Sequence, residues 1–274
     1  MKFNYSIVSN YPAPLRLGVF IVLLLFLWLP TAIPSFFLFK YDLNLRTIIT
    51  MGLLYINFII LLFFWNSKVH KVNNWWKLYG LIFTKKNVVE LFNGLTVGIF
   101  FTFGLFIVEM ILGWVVFIRP SQNLFLLVLE GLLSAFGIAF AEELFFRGWL
   151  LEELRINYSY RTILISNSLI FATLHFLKPL QEIIRTFPQF PALFLLGIIL
   201  VEAKTKHNNR LGICIGIHGG LVWGYYILNV GKIIKYTDKA SSIFTGIDNN
   251  PIAGIMGIIG LLALFFLMKY KKQY

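Results

Sequence analysis

Residues 141–150, AEELFFRGWL, place three charged side chains inside an otherwise apolar run. Glu143 and Arg147 are four positions apart with the glutamate first, which is the favoured order for an ion pair on one helical face. Glu142 is rotated by about 100° from Glu143 around a helix, so its carboxylate points elsewhere. A carboxylate that points into a protein interior has a tunable pKa and can serve as a general base.

Two of the four histidines, His175 and His218, also fall in apolar stretches. His70 and His207 fall in basic loops, where we expect solvated side chains. We count depth along antiparallel helices with a rise of about 1.5 Å per residue. From a turn at about residues 157–159, Glu143 and His175 lie about 22 and 25 Å deep. From a helix start near residues 204–206 on the same side, His218 lies about 18–21 Å deep. Two carboxylates, two imidazoles and one guanidinium can therefore meet inside the protein.

Such a set suits the hydrolysis of a peptide bond. The reaction needs an activated water, a polariser for the carbonyl group and a proton donor for the leaving amine. Two histidines and one carboxylate are also a common ligand set for catalytic zinc, with one position open for water. The chain has no HExxH motif, which excludes the zincin class.

The elements that must position these residues are those of a membrane protein. The 274-residue chain is 58% hydrophobic and 13% charged, whereas soluble domains are about a quarter charged. Apolar stretches that approach the roughly 20 residues needed to cross a bilayer occur at 15–39, 47–65, 92–118, 123–146, 161–178, 190–203, 211–230 and 251–268. We expect the fourth stretch to continue as a helix to about residue 156.

The predicted fold is an all-α polytopic membrane protein with about eight transmembrane helices that enclose an intramembrane cavity, because backbone in lipid must satisfy its own hydrogen bonds. We expect residues 1–274 to form a single membrane domain. Since the longest loops are short, no separate soluble domain is predicted.

The net charge of +12 comes from 24 Lys and Arg against 12 Asp and Glu. The basic residues flank the apolar stretches, which indicates membrane topology rather than nucleic-acid binding. Fifteen fall on the side that carries both termini and eight on the other. Because cytoplasmic loops carry an excess of Lys and Arg, we expect both termini to lie in the cytoplasm. The membrane itself is expected to be a bacterial cytoplasmic membrane or another internal membrane.

Three motifs in this order resemble the CPBP family of intramembrane proteases, the CAAX prenyl protease and bacteriocin-processing group, which is also called the Abi family. EELFFR (142–147) is similar to the EExxxR motif, FATLH (171–175) to FxxxH, and IGIHGGLVWGYY (215–226) to the start of the third motif. The resemblance covers about residues 140–230, the motif core, and the rest of the chain only by hydropathy. The combination of three motifs in this order is specific for the family, whereas EExxxR alone would be a weak indication of it.

The resemblance implies an eight-helix membrane endopeptidase whose substrate is a membrane-associated protein or peptide; eukaryotic members trim the last three residues from prenylated CAAX proteins. By that likeness Glu142 is the base that activates water, and Glu143 supports it and pairs with Arg147. His175 and His218 hold the water or a metal and stabilise the oxyanion. A zinc ion bound by Glu142, His175 and His218 and a metal-free glutamate mechanism are both compatible with the likeness.

One position departs from the family pattern. The third motif usually has Asn or Asp four residues after its histidine, and here that position is Val222. Valine cannot ligate, donate or polarise. Tyr225 and Asn229 share the helical face of His218 but lie about 10 and 16 Å along the axis, and Asn167, two turns before the FxxxH histidine, is a further candidate substitute.

Three function classes therefore stay open: an intramembrane endopeptidase, a non-catalytic scaffold or immunity-type membrane protein, and a proton-coupled transporter, since buried Glu and His also build proton relays. A repeat or paired broken helices are more typical of a transporter, and the sequence shows neither. Two further intramembrane carboxylates, Glu109 and Glu130, either line the predicted cavity or serve as pairing partners.

Overall fold

The computed structural model describes residues 5–120 and 122–270. In chain order the helices are α1 (Ala13–Leu38), α2 (Leu43–Phe64), α3 (Trp75–Leu78), α4 (Lys85–Ile111), α5 (Leu124–Glu143), α6 (Leu151–Arg155), α7 (Tyr160–Leu174), α8 (Leu180–Thr186), α9 (Phe190–Lys206), α10 (Gly212–Tyr225), α11 (Ser242–Thr245) and α12 (Ile255–Tyr270). The strands β1 (Val115–Phe117) and β2 (Ile234–Tyr236) form an antiparallel pair. The helical backbone widens to π-helical geometry over Trp65–His70, Leu144–Leu150 and Tyr226–Val230.

The prediction of an all-α polytopic membrane fold is confirmed. In the described residues, six helical runs are long and apolar enough to cross a membrane: Ala13–Leu38, Leu43–His70, Lys85–Ile111, Leu124–Arg155, Leu180–Lys206 and Gly212–Val230. The predicted spans 161–178 and 251–268 correspond to α7 and α12, which have 15 and 16 residues. These lengths reach only about 22–24 Å, so the count of eight spans stays a prediction, as does the enclosed cavity.

The predicted end of the third span, residue 118, is wrong. The helix ends at Ile111, and Gly113 adopts a left-handed φ of 72° just after it, a conformation that commonly ends helices. Val115–Phe117 then pairs with β2. A short strand and a helical turn can be equally apolar, so hydropathy does not distinguish them. The predicted extension of the fourth span is borne out, because that helical run ends at Arg155.

The chain divides into two compact units. The first comprises the residues up to Leu78 together with Glu152–Tyr158, and the second comprises Tyr79–Leu151 and the residues from Ser159 onward. A single membrane domain over residues 1–274 stays a prediction. All motif residues of the sequence lie in the second unit.

A buried polar network holds the first unit together. The Arg16 guanidinium donates to Glu153 Oε2 at 2.8 Å and to Asn157 Oδ1 at 2.8 Å. Trp65 Nε1 donates to Glu153 Oε1 at 2.8 Å, and His70 Nε2 lies 2.7 Å from the same oxygen. The expectation of a solvated His70 is wrong, since its side chain is 14% exposed. Its partner Glu153 is 83 positions away in the sequence, so the charges near His70 do not predict the contact.

The second unit is built around α10, which packs against α4 through glycines. A Cβ on Gly94 would lie 2.5 Å from Ile213 O, and a Cβ on Gly216 would lie 2.1 Å from Leu91 O. Any side chain at these positions would force the two helices apart. Small residues at such interfaces are typical of helix packing in membranes. The close approach buries the segment of α10 that carries His218.

Candidate active site

An inner group of charged side chains forms where α5 ends. Arg147, in the widened turn Leu144–Leu150, donates from Nη1 to Glu143 Oε1 at 2.9 Å, and His218 Nδ1 lies 2.8 Å from the same oxygen. Glu143 and Arg147 have no exposed side-chain surface. Since a carboxylate only accepts, His218 donates through Nδ1. Glu143 therefore bridges the guanidinium and the imidazole, and Arg147 offsets its charge in a dry interior.

An outer and more accessible group consists of Glu142 and His175, whose side chains are 33% and 30% exposed. Glu142 Oε2 lies 3.7 Å from His175 Nε2 and 3.9 Å from His218 Nε2. That oxygen has no hydrogen-bond partner within the described residues. The rotation of Glu142 away from Glu143, expected from helix geometry, thus directs it toward both imidazoles.

The end of α7 sets the position of His175. The helix stops at Leu174, so His175 is the residue that caps its C-terminal end. Its Nδ1 lies 2.7 Å from Phe171 O, one of the last carbonyls of the helix. These carbonyls have no intrahelical donor, so the ring nitrogen donates to one. In the neutral ring this leaves the Nε2 lone pair facing Glu142.

Phe171, the first residue of the FxxxH motif, packs between the charged groups. Its ring centroid lies 4.2 Å from the Arg147 guanidinium, 4.6 Å from the His175 ring and 6.3 Å from the His218 ring. The contact with Arg147 is a cation–π interaction, which is strengthened by desolvation. The spacing of Phe and His by one helical turn places the two rings on one helical face, but it does not reveal which cation the Phe171 ring contacts.

Asn167 and Lys204 complete the surroundings of the widened turn. The predicted apolar stretch ends at residue 203, which assigns Lys204 to the following cytoplasmic loop. Lys204 lies instead in α9 with no exposed surface, and its Nζ donates to Arg147 O at 2.5 Å. Asn167 Nδ2 donates to Phe146 O at 2.8 Å. Hydropathy assigns a lysine in a polar stretch to a loop. The sequence therefore gives no indication that Lys204 donates to the backbone of another helix.

No candidate substitute takes the place of the polar group that the third motif lacks at Val222. Asn229 Nδ2 donates to Tyr225 OH, which donates to Asp248 O at 3.1 Å, so both side chains belong to another cluster. Among the described residues no hydrogen bond connects Tyr225, Asn229 or Asn167 to Glu142. None of them replaces the absent amide.

Glu109 and Glu130 contact residues outside the group formed by Glu142, Glu143, Arg147, His175 and His218. Glu109 is fully buried and accepts a hydrogen bond from Tyr236 OH at 3.1 Å. Burial, and then the Glu109 carboxylate, raise the pKa of Tyr236, which keeps its hydroxyl a donor. Glu130 lies on an exposed face of α5 and interacts with Tyr226. Of the two expectations for these carboxylates, the contacts favour pairing.

The donor set of Glu142, His175 and His218 has the chemistry of a catalytic zinc site, and both imidazoles have Nδ1 held by an acceptor, as metal-bound histidines usually do. The distances from Glu142 Oε2 of 3.7 and 3.9 Å exceed the roughly 3.4 Å between donors that share a tetrahedral zinc. In the described part of the chain no three His, Cys, Asp or Glu residues are grouped so that they could hold a metal ion. The zinc prediction therefore stays a prediction.

Comparison with known proteins finds a family match over the region that contains these motifs. Residues 122–224 match a family described as type II CAAX prenyl endopeptidase Rce1-like. The matched range includes EELFFR, FATLH and His218, so the recognised resemblance is confirmed. No curated protein and no solved structure matches the chain.

Proposed function

We propose that this integral membrane protein, whose residues 122–224 match the family of Rce1-like type II CAAX prenyl endopeptidases, hydrolyses a peptide bond of a membrane-associated protein or peptide with water activated by Glu142. The family supports a CAAX-protease-like intramembrane endopeptidase in general. The observation that supports the finer proposal is the convergence of three groups: Glu142 Oε2 lies within 3.9 Å of both His175 Nε2 and His218 Nε2.

Glu142 is placed to act as the general base. Its Oε2 is buried and accepts no hydrogen bond within the described residues, so a water molecule bound in the site would supply the missing partner. The carboxylate takes a proton from that water as the oxygen attacks the carbonyl carbon. When the tetrahedral intermediate collapses and the C–N bond breaks, the carboxylic acid returns the proton to the leaving amine.

The histidines orient the water and the carbonyl oxygen. Glu143 accepts from His218 Nδ1 at 2.8 Å and so fixes the ring with Nε2 toward the site, as a buried carboxylate orients the histidine of other hydrolases. In its protonated form the ring donates Nε2–H to the developing oxyanion. His175, held by Phe171 O, presents its Nε2 lone pair to the attacking water.

If zinc is bound, Glu142, His175 and His218 would hold it, and it would supply Lewis-acid activation of the water. The assay is cleavage of a membrane-tethered peptide reporter by the purified protein in liposomes. Loss of cleavage with a chelator, restored by zinc, supports a metal held by these residues. Cleavage that persists in the chelator supports a metal-free glutamate mechanism. No cleavage of diverse tethered peptides by well-folded protein contradicts the proposed function.

One observation favours a second candidate function, a non-catalytic membrane scaffold: the third motif has Val222 where the family has a polar residue. The two candidate functions can be distinguished by placing an amide at position 222 and comparing the cleavage rate with that of wild type. A single oxyanion donor is worth about 10²–10³-fold in kcat.

Val222→Asn should raise kcat for the reporter by about tenfold or more, because it adds an N–H donor one turn from His218. The comparison is Val222→Leu, which keeps the site apolar, and both proteins are compared with wild type in the same liposomes. Cleavage by Val222→Asn alone would assign the wild-type protein to the scaffold class. Equal rates for both folded variants would contradict a role for this position.

We further propose that both termini lie in the cytoplasm; Lys2 and Lys272 lie outside the described residues. Cysteines placed there should react with a membrane-impermeant maleimide only after the membrane is opened, whereas Lys239→Cys should react from outside in intact cells. The native Cys214 is fully buried, so its background should be low. Labelling of either terminus in intact cells would overturn the orientation.

A further inference from the structure

The helix that carries the motif changes its geometry directly after Glu143. Over Leu144–Leu150 the turn widens, and Leu151 N–H reaches back to Phe146 O, five residues earlier. Single π-helical turns of this kind are rare and occur frequently at functional sites. A widened turn directs its carbonyls away from the helix axis, and in a membrane each carbonyl needs a partner within the protein. Side-chain donors to these carbonyls therefore stabilise the turn in addition to backbone bonds such as that from Leu151 N–H.

Two consecutive carbonyls of the turn accept hydrogen bonds from side chains on two other helices. Asn167 on α7 donates from Nδ2 to Phe146 O at 2.8 Å, and Lys204 on α9 donates from Nζ to Arg147 O at 2.5 Å. Both donor side chains are fully buried. A buried ammonium is expensive in a low-dielectric interior, so a lysine here requires a specific compensating contact.

A short series of contacts connects the second carbonyl to the site. The backbone of Arg147 is held by Lys204, and its guanidinium lies 2.9 Å from Glu143 Oε1. Glu143 Oε1 lies 2.8 Å from His218 Nδ1, and His218 Nε2 lies 3.9 Å from Glu142. A displacement of the turn therefore moves the carboxylate that orients the imidazole.

We infer that Asn167 and Lys204 are positioning residues that hold the widened turn in the conformation in which Arg147 and Glu143 orient His218. The inference rests on the proposed function, since it concerns the reaction at Glu142. It also accounts for Asn167 without assigning it the role of the amide missing at Val222: its Nδ2 is committed to Phe146 O.

Lys204→Met tests the inference, because it removes the ammonium and keeps an unbranched chain of similar length. We expect kcat to fall by about 10–100-fold with KM unchanged, since small displacements of reacting groups cost up to about 10²-fold. The matched control is Lys206→Met: Lys206 lies on the same helix and donates to a backbone carbonyl, Met268 O, at 2.7 Å. It should leave kcat unchanged.

A second measurement is independent of cleavage. With ¹⁵N-labelled histidine, the Nδ1–H resonance of His218, assigned by its loss in His218→Gln, reports the hydrogen bond to Glu143. This resonance should shift in Lys204→Met and Asn167→Leu and stay in place in Lys206→Met. Lys204→Arg keeps a donor for Arg147 O and should recover most of the wild-type kcat and resonance position.

Folded Lys204→Met and Asn167→Leu proteins with wild-type kcat and an unmoved His218 resonance would overturn the inference. If Lys204→Met does not fold, Asn167→Leu and Lys204→Arg decide the question: an unmoved His218 resonance in Asn167→Leu, or a displaced one in Lys204→Arg, contradicts positioning. If wild type cleaves nothing, the proposed function fails, and the resonance still decides whether the two side chains orient His218.

Discussion

Glu142→Gln should lower kcat for peptide-bond cleavage by about 10²–10⁴-fold, the usual cost of removing a general base. Glutamine keeps the size and polarity of the side chain but cannot take a proton from water. The amount of folded protein should not change, because the Glu142 side chain is one-third exposed, at 33%, and its Oε2 has no hydrogen-bond partner within the described residues.

The matched control is Glu130→Gln, the same substitution on the same helix α5 at a carboxylate outside the motif cluster. It should cleave the tethered reporter at the wild-type rate. Unchanged cleavage by Glu142→Gln would remove Glu142 from the mechanism. Equal losses in both variants would indicate a general effect on the helix rather than the loss of a base.

Arg147→Ala should lower the free energy of unfolding by about 3–5 kcal/mol, the range for breaking a buried ion pair by removing one partner. Glu143 would keep its charge in an interior with no exposed surface, with His218 as its remaining hydrogen-bond donor. The loss of the guanidinium also removes the cation–π contact with Phe171. The measurement is the yield of folded protein and its thermal unfolding in detergent.

Arg155→Ala is the control for this prediction. Arg155 also forms a glutamate pair within one helical turn, with Glu152, but the two side chains are 26% and 13% exposed. Pairs nearer to the solvent contribute only about 0–1 kcal/mol. The double change Glu143→Gln with Arg147→Met removes both charges and should cost less than Arg147→Ala alone. If Arg147→Ala melts like wild type, Glu143 does not depend on the pair.

The local geometry of the site follows from the sequence because helices are regular. The four-residue spacing of Glu143 and Arg147 predicts their contact, and similar distances from the turns that precede their helices predict that His175 and His218 reach about the depth of the carboxylates. The contact needs only the helical rotation, whereas the depths also need the position of the turn before α7. That helix begins at Tyr160, next to a turn at about residues 157–159, so its early end at Leu174 does not change the count.

The rest of the arrangement depends on contacts between distant segments. Hydropathy places Lys204 and His70 in loops because it counts charges and cannot represent a buried acceptor supplied by another helix. It assigns Val115–Phe117 to a span because a strand and a helix can be equally apolar. The widened turn at Leu144–Leu150 cannot be predicted from the spacing of apolar residues. The side chains that donate to its carbonyls, on α7 and α9, are 21 and 57 positions away in the sequence.

The Arg16 network of the first unit has a consequence for biosynthesis. Arg16 and its carboxylate partner Glu153 are 137 positions apart in the chain. At the usual rate of about 5–20 residues per second, a ribosome needs roughly 7–27 s to make the intervening segment. Throughout that interval the arginine of the first helix lacks its carboxylate and must be solvated by water or lipid headgroups. The N-terminal helices are thus the first to be synthesised, but the unit to which they belong is completed only after more than half of the chain has been translated.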